Sequence, residues 1–352
     1  MRKESFFRME RAEAIALLQD APTVYVSTTT SEGEPVLRAM NAAVANGAIT
    51  FHGAAVGEKT LAMNRPAVVS AVDHVASLPS YFVDPERACP ATTLYRSVQV
   101  HGVLQPVVDG ARKTQVLAAL MQKHQPEGGF VPLDHANPLY AKEIASLLVL
   151  EVSLEKMDGK AKLAQNRKPE ERAKILEGLW RRGEPGDTRA IELIRGANPG
   201  TTLPQFLAAT AGVTLSVHPT TSDALAVADL LADTYWNDRF TQEEIASAHL
   251  ESSGWVVAKD AKGDVIASAR AVSDGSKRAW IYDVIVSPKR QRTGLGERLM
   301  RLLLDHPRVR RTKLIALGTR DAADFYARLG FLTRAQLPAR SYTTVEMMLV
   351  RP

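Results

Sequence analysis

Gln291-Arg292-Thr293-Gly294-Leu295-Gly296 is the stretch from which the architecture of this chain can be read. It follows the strand-like run 280–286 and the turn Ser287-Pro288, and it opens an amphipathic helix pattern over residues 297–305. Strand, glycine-bearing turn and helix, in that order, present several backbone N–H groups to an anion. Gly294 and Gly296 lack a Cβ, so a bulky anion can approach the main chain. The helix dipole favours negative charge at that end, and Lys289, Arg290 and Arg292 add positive side chains. The sequence therefore predicts a phosphate-bearing ligand at this turn.

Two familiar phosphate motifs fail here. The dinucleotide fingerprint lacks its third glycine, since position 299 is Leu, and no Gly-Lys-Ser/Thr follows the turn. The segment resembles the pyrophosphate loop of the GNAT acetyltransferases, Gln/Arg-x-x-Gly-x-Gly/Ala, with Gln291, Gly294 and Gly296 in the three fixed places. Val286-Ser287-Pro288 is similar to the end of that family's fourth strand, which splays from the fifth to admit pantetheine. Downstream, residues 313–318 read as a buried strand and 321–329 as a short helix leading to another strand. Phe325-Tyr326-Ala327-Arg328-Leu329-Gly330-Phe331 resembles the family's Phe-Tyr-x-x-x-Gly-Phe segment. The resemblance implies that Tyr326 returns a proton to the departing CoA thiolate. The plainer reading of Tyr326 is a core aromatic on an amphipathic helix.

At 352 residues the chain is too long for one ordinary core, which points to two domains. Its 45% apolar and 24% charged residues describe a globular rather than a disordered or membrane protein. No apolar run approaches a membrane-spanning length, and Met1-Arg2-Lys3-Glu4-Ser5 continues into a charged helix pattern without a signal peptide's apolar core. The cytoplasm is the expected compartment. A single cysteine, Cys89, excludes an intrachain disulfide and a multi-cysteine metal site, and no metal is expected. A net charge of +5 suits anionic cofactors and is too small to indicate nucleic acid. The basic runs Trp180-Arg181-Arg182 and 308–313 read as solvated helix ends.

The GNAT resemblance runs from Thr214 to the C-terminus, in the order β-α-α-β-β-β-α-β-α-β. It takes in a first strand at Leu215-Ser216-Val217, helices at 222–232 and 242–250, and strands at 254–259 and 265–273. Residues 196–213, with Asn198-Pro199-Gly200 and many small residues, read as a linker. The region 1–195 differs in kind. A helix pattern over 8–19 precedes strands at 23–29 and 36–44, and Asn46-Gly47 is a strong hairpin signal before a third strand at 48–52. Strands at 67–73, 94–106 and 147–154, with helices at 59–64 and 111–123, complete an antiparallel meander. That pattern predicts a small barrel with flanking helices.

Within it, Phe51-His52-Gly53-Ala54-Ala55-Val56-Gly57-Glu58-Lys59, continued by Leu61 and Asn64-Arg65, resembles the FMN-binding split barrels of the pyridoxamine-phosphate-oxidase superfamily, of nitroimidazole-resistance and regulator type. Gly33-Glu34-Pro35, Tyr95-Arg96-Ser97-Val98-Gln99-Val100-His101-Gly102, and the tail Lys162-Leu163-Ala164-Gln165-Asn166-Arg167 running into a helix at 169–181 carry the same resemblance. It implies FMN contacts from Arg38, Met40, Asn41, Phe51, His52, Gly53, Ala54, Lys59 and Thr60, and a homodimer through the barrel. Lys59 at a helix start and Arg38 on the adjoining strand suit a phosphate, and small residues let a ring lie near the backbone. Glu58 stands where many relatives carry Arg or Ser, and a carboxylate pointing inward there repels phosphate. The alternative for His52 is a hydrogen-bonded histidine closing a strand.

For the second region the resemblance implies acetyl-CoA bound on Gln291, Arg292, Thr293, Gly294, Leu295 and Gly296, pantetheine alongside Val284, Ile285 and Val286, and direct attack by a small-molecule amine. The family's usual strand-four Glu is missing and its Asn after strand five is replaced by Thr319-Arg320-Asp321. Asp283 is the nearest carboxylate for a base, although alternation sets it opposite Tyr282 and Val284, where a solvent-facing aspartate is the plainer account. Three roles are open for the barrel: a flavin enzyme, a flavin- or ligand-binding regulator, and a dimerisation platform.

Overall fold

The computed structural model describes residues 4–54 and 63–338. The chain divides into two compact units, Met1–Thr202 and Leu203–Pro352.

In the first unit, short helices α1 (Glu4–Phe7) and α2 (Arg11–Asp20) precede β1 (Val24–Thr29). Its alternation buries Val24, Val26 and Thr28 and turns Tyr25 and Ser27 outward. The strand expected over 36–44 breaks into β2 (Pro35–Met40) and β3 (Ala43–Ala45). The reason is topological: β2 pairs with β1 in one sheet, whereas β3 pairs with β4 (Ala48–Gly53) in the other. Asn46 and Gly47 take φ of 50° and 76°, the left-handed pair that a two-residue hairpin requires, and they set the register Ala45↔Ala48.

The same switch of sheets divides the strand expected over 94–106. After β5 (Pro66–Leu78), the chain runs through β6 (Thr92–Val103) in the first sheet and β7 (Gln105–Val107) in the second. Buried Leu104 sits at the corner, where its carbonyl accepts from Asn64 N at 2.8 Å and its N–H donates to Arg65 O at 3.0 Å. Helices α3 (Gly110–His124) and α4 (Ala141–Ser146) lead to β8 (Leu148–Ser153) and β9 (Met157–Lys162). The sheets read β2-β1-β5-β6-β9 and β3-β4-β8-β7, which is the split-barrel arrangement of two sheets sharing corners. Buried Lys113 caps the end of α4 through the carbonyls of Ile144, Ala145 and Leu147. Of the helix expected at 59–64, only Met63 and Asn64 lie among the described residues, and they form a turn with Asn64 at φ 60°.

Helices α5 (Pro169–Arg182) and α6 (Asp187–Ala197) follow, tied to the barrel by charge. Asp73 on β5 receives Arg189 from α6 at 2.6 and 3.0 Å and Arg96 from β6 at 2.8 Å. Burial pushes the Asp73 carboxyl up, and hydrogen bonds from Arg189 and Arg96 outweigh it, so the group titrates below its ordinary value.

The second unit begins inside the expected linker. Leu207 there is buried, and Arg298 donates to the carbonyls of Ala208, at 2.7 Å, and of Gln205. Next come β10 (Val213–Ser216), α7 (Thr221–Leu231), α8 (Gln242–Leu250), β11 (Gly254–Asp260), β12 (Val265–Ser273) and β13 (Arg278–Val286). Capping boxes at Thr220/Asp223 and Thr241/Glu244 fix the starts of α7 and α8. Then α9 (Leu295–Leu304), β14 (Leu314–Ala316) and α10 (Ala323–Arg328) complete the order β10-β11-β12-β13-β14, in which β13 and β14 run parallel. Helix α9 starts at Leu295, earlier than the sequence pattern at 297, because Gly294 supplies a left-handed N-cap. The final expected strand lies outside the described residues. No helix among the described residues is long and apolar enough to cross a membrane.

Two histidines of this unit are buried: His249 in α8, and His306, whose ring lies over Gly254 so closely that a Cβ there would meet Nδ1 at 2.8 Å. Burial first, then Arg310 and Arg308, push His306 down to about 4, and burial likewise lowers His249 below its ordinary 6.5. The unfolded chain therefore binds protons below pH 6.5 that the folded chain takes up only at lower pH. The His306 contribution is full above 6.5 and is expected to fall as the pH drops from there towards 4, by up to about 1.4 kcal/mol per pH unit, with His249 acting in the same direction. Thermal unfolding across that range checks this, with His306→Gln expected to flatten the slope; a Tm that does not fall on acidification contradicts it.

Candidate functional site

The turn after β13 is built from main chain. A short 3₁₀ turn at Pro288–Arg290 is followed by extended Gln291, left-handed Arg292 (φ 59°) and left-handed Gly294 (φ 82°). Gln291 Nε2 donates to Val286 O at 3.2 Å and Thr293 Oγ1 to Arg290 O at 2.7 Å, which holds the loop closed on itself. From Arg292 through Glu297 the N–H groups have no main-chain acceptor among the described residues. They stand at the N-terminus of α9, whose apolar face (Leu295, Leu299, Met300, Leu302, Leu303) is buried against the sheet. Lys289, Arg290 and Arg292 are exposed beside them. The arrangement is a concave set of N–H donors in a positive field, suited to a multiply charged anion.

Strand β13 leads into that turn with one edge open. It pairs with β14 only at Arg278↔Leu314, Ala279↔Ile315 and Trp280↔Ala316. Beyond Trp280 no strand lies beside that edge among the described residues, so Val284, Ile285 and Val286 offer unpaired main chain to an extended ligand. On the other side, Ser268↔Ile285 and Arg270↔Tyr282 leave Asp283 and Val284 facing Ala269 alone, which is a β-bulge. Asp283 takes φ 49° there.

The bulge corrects the reading of Asp283 as a solvent-facing residue. Simple alternation fails at a surplus residue, and the carboxylate is buried. Its Oδ1 accepts from Trp236 Nε1 at 3.0 Å and Asn237 Nδ2 at 3.2 Å, and its Oδ2 accepts from Arg270 Nε at 2.6 Å. Trp236 and Asn237 come from the loop between α7 and α8, so one carboxylate joins that loop, β12 and β13.

Tyr326 on α10 lies close to both features. Gly296 faces Phe325: a Cβ on Gly296 would stand 3.4 Å from Val286 Cγ2 and 3.6 Å from Phe325 Cζ, so α10 borders the amide turn. Tyr326 is half-buried between Phe325 and Phe331, at ring distances of 5.0 and 5.9 Å, rather than a core aromatic. Burial raises its phenol above 10, and Tyr235 adds in the same direction. Tyr235 in turn sets its ring edge-on to Trp236 at 4.9 Å and lies under the Arg320 guanidinium at 3.7 Å. Asp283, Trp236, Tyr235 and Arg320 thus form a chain of neighbours. Sequence reasoning points to Asp283 and Tyr326 but not to Tyr235, Trp236, Asn237, Arg270 or Arg320. The signal it passes over is an aromatic pair inside an otherwise polar interhelical loop.

The residues expected around a flavin are more dispersed in the chain. Arg38, Met40 and Asn41 end β2 where the chain crosses to the second sheet; Arg38 is exposed and donates to Leu37 O at 2.9 Å. On β4, Phe51 is 1% exposed and paired with Leu150 of β8, so it belongs to the core. His52 is exposed on the opposite side, with half-buried Gly53 and exposed Ala54 at the strand end. Lys59, Thr60 and Glu58 lie outside the described residues. The described residues thus place one cation on β2 of the first sheet and small residues at the end of β4 in the second, residue types that suit a phosphate and a flat ring respectively.

Residues 10–161 match the family model described as pyridoxamine 5'-phosphate oxidase, and residues 224–331 match that of the acetyltransferase (GNAT) family. An uncharacterized N-acetyltransferase of Pyropia yezoensis is 36% identical over 75 residues, 21% of this chain and 43% of that protein. The chloroplastic GCN5-related N-acetyltransferase 1 of Arabidopsis thaliana is 36% identical over 91 residues, 26% of this chain and 46% of that protein. The chain spans less than half the length of these curated relatives. Among solved structures, a FAD and heme binding protein from Mycobacterium smegmatis aligns at 20% identity over 45% of this chain and 73% of that one, with a TM-score of 0.38. A GNAT-family acetyltransferase described as putative, from Xanthomonas campestris, aligns at 27% identity over 37% and 93%, with a TM-score of 0.32. Two family models thus match this chain in separate stretches, that of pyridoxamine 5'-phosphate oxidase within the first unit and that of the GNAT acetyltransferases within the second.

Proposed function

We propose that the second unit transfers an acetyl group from acetyl-CoA to a small-molecule amine, and that the first unit is a flavin-binding barrel through which two copies of the chain pair. The observation that carries the transferase reading is the open edge of β13 running into the unengaged amides of residues 292–297. A pyrophosphate meets those amides, and the pantetheine amides add beside Val284, Ile285 and Val286. The bound thioester then presents its carbonyl to the amine in a fixed geometry, which supplies most of the acceleration. A C–N bond forms, the C–S bond breaks, and the sulfur leaves with its electron pair. The amine's proton passes to solvent, and the Tyr326 phenol, protonated throughout the neutral range, delivers a proton to the thiolate.

In the barrel, FMN is the proposed cofactor, with Arg38, Lys59 and Thr60 on its phosphate, Met40, Asn41 and His52 around it, and Phe51, Gly53 and Ala54 giving main chain to its ring. When bound, a flavin supplies electron transfer that amino-acid side chains lack. The outer face of the first sheet supports pairing of two chains: Tyr25, Leu37 and Val72 are 49%, 60% and 61% exposed and share one side of adjacent strands. That face also favours the second reading, in which the barrel senses a ligand and dimerises the chain without turnover.

Thiol release from acetyl-CoA, followed with tryptamine, spermidine, aniline and lysine methyl ester, is expected for at least one of these amines. Tyr326→Phe is expected to lower kcat roughly 10²-fold with little change in the acetyl-CoA KM; an unaffected variant refutes the acid role. Because burial holds the phenol above 10, the alkaline loss of activity lies above that pH. The purified protein is expected to be yellow and to run at twice the chain mass, with Leu37→Asp yielding a monomer. A colourless protein that ignores added FMN overturns the flavin reading, and a monomeric parent overturns the pairing.

A further inference from the structure

We infer that Asp283 is a positioning residue of the acceptor side of the transferase: it fixes the Tyr235-Trp236-Asn237 turn to the bulged edge of β13, and it does not take the amine's proton. The inference rests on the transferase reading above and deepens it.

Both oxygens of the carboxylate are already engaged. Trp236 and Asn237 donate to one oxygen and Arg270 to the other, and the side chain is 6% exposed. A general base needs a lone pair within reach of the reacting amine. Here proton uptake would leave the Arg270 guanidinium, itself 14% exposed, without its counter-charge. The geometry suits a clamp.

What the clamp holds is specific. Asn237 Nδ2 bridges Asp283 and Thr234 Oγ1, while Asn237 N donates to Thr234 O at 3.1 Å, so the carboxylate grips a turn that is closed on itself. With its indole N–H tied inward, Trp236 is 39% exposed, and Tyr235, edge-on to it at 4.9 Å, is 43% exposed. These aromatic faces are therefore held at a position set by Asp283. The same residue occupies the left-handed bulge that opposes Ala269, in the strand whose free edge is offered to the pantetheine. Backbone strain of this kind persists only where surrounding bonds over-determine it. One carboxylate thus aligns the acceptor wall with the donor strand.

The test compares Asp283→Asn and Trp236→Phe with the parent chain, using the most active amine of the four above. Asp283→Asn is expected to raise the amine KM by about tenfold or more while the acetyl-CoA KM changes by less than about twofold and the pH profile keeps its shape. Trp236→Phe, which keeps the carboxylate and removes one donor, is expected to move the amine KM in the same direction by about threefold or more. Loss of kcat at unchanged amine KM, a pH profile of changed shape in Asp283→Asn, or a Trp236→Phe variant with the parent's amine KM overturns the inference. Independently of turnover, acrylamide quenching of Trp236, taken as the difference from Trp236→Phe, is expected to rise about twofold in Asp283→Asn as the indole is released. Unchanged quenching overturns the clamp even where transfer proceeds. A parent chain that acetylates none of the amines counts against the transferase reading, and the quenching arm then judges the clamp alone.

Discussion

Asp283 and Val284 share the space opposite Ala269, and this surplus residue constrains much of the second unit. A strand that bulges bends and twists locally. In β13 the bend comes where pairing with β14 has ended, so the last residues of the strand carry an exposed edge towards the amide turn. The conformation is costly for a residue with a side chain, on the order of 1–2 kcal/mol for left-handed φ. Trp236, Asn237 and Arg270 hold the carboxylate from the other side and offset that cost. Donor strand, acceptor loop and Arg270 are consequently parts of one hydrogen-bonded unit.

The barrel shows a different constraint, that of two sheets cut from the same strands. Asn41-Ala42 and Leu104 are the places where the chain leaves one sheet for the other. Backbone groups at such corners lose their ladder partners and must find others; at Leu104 both do, on Asn64 and Arg65. The expected flavin residues Arg38 and Met40 are paired with Val26 and Val24 at the end of β2, and Asn41 stands at the first of these corners.

How much of this was legible in the sequence depended on how local the cause is. Helix 242–250 is readable to the residue because Thr241 and Glu244 form a capping box around a regular apolar pattern. Asn46-Gly47 announces its hairpin through its own backbone preferences. The breaks at 41–42 and 104 are not readable, since both expected strands alternate well and only the partner sheet decides where they divide. Strand β9, Met-Asp-Gly-Lys-Ala-Lys, has almost no β-forming residue; it exists because β6 needs a neighbour and Gly159 lets Met9 and Ala14 approach. Helix α6 escaped for a similar reason, its position being set by charge pairing to Asp73. At the site, the glycine turn and Tyr326 are contiguous motifs and could be read. Asp283 could be located but its environment could not, because alternation is the rule that a bulge breaks.

The central claim is that the main chain between Arg292 and Glu297 receives the phosphates of CoA. Amide hydrogen exchange over residues 287–299, with and without saturating CoA, addresses it without requiring an acceptor or turnover. The account predicts marked slowing of the Arg292 to Glu297 amides, together with slowing at Val284, Ile285 and Val286 as the pantetheine arm pairs with that edge. Binding of CoA that leaves the exchange of residues 292–297 unchanged would contradict it.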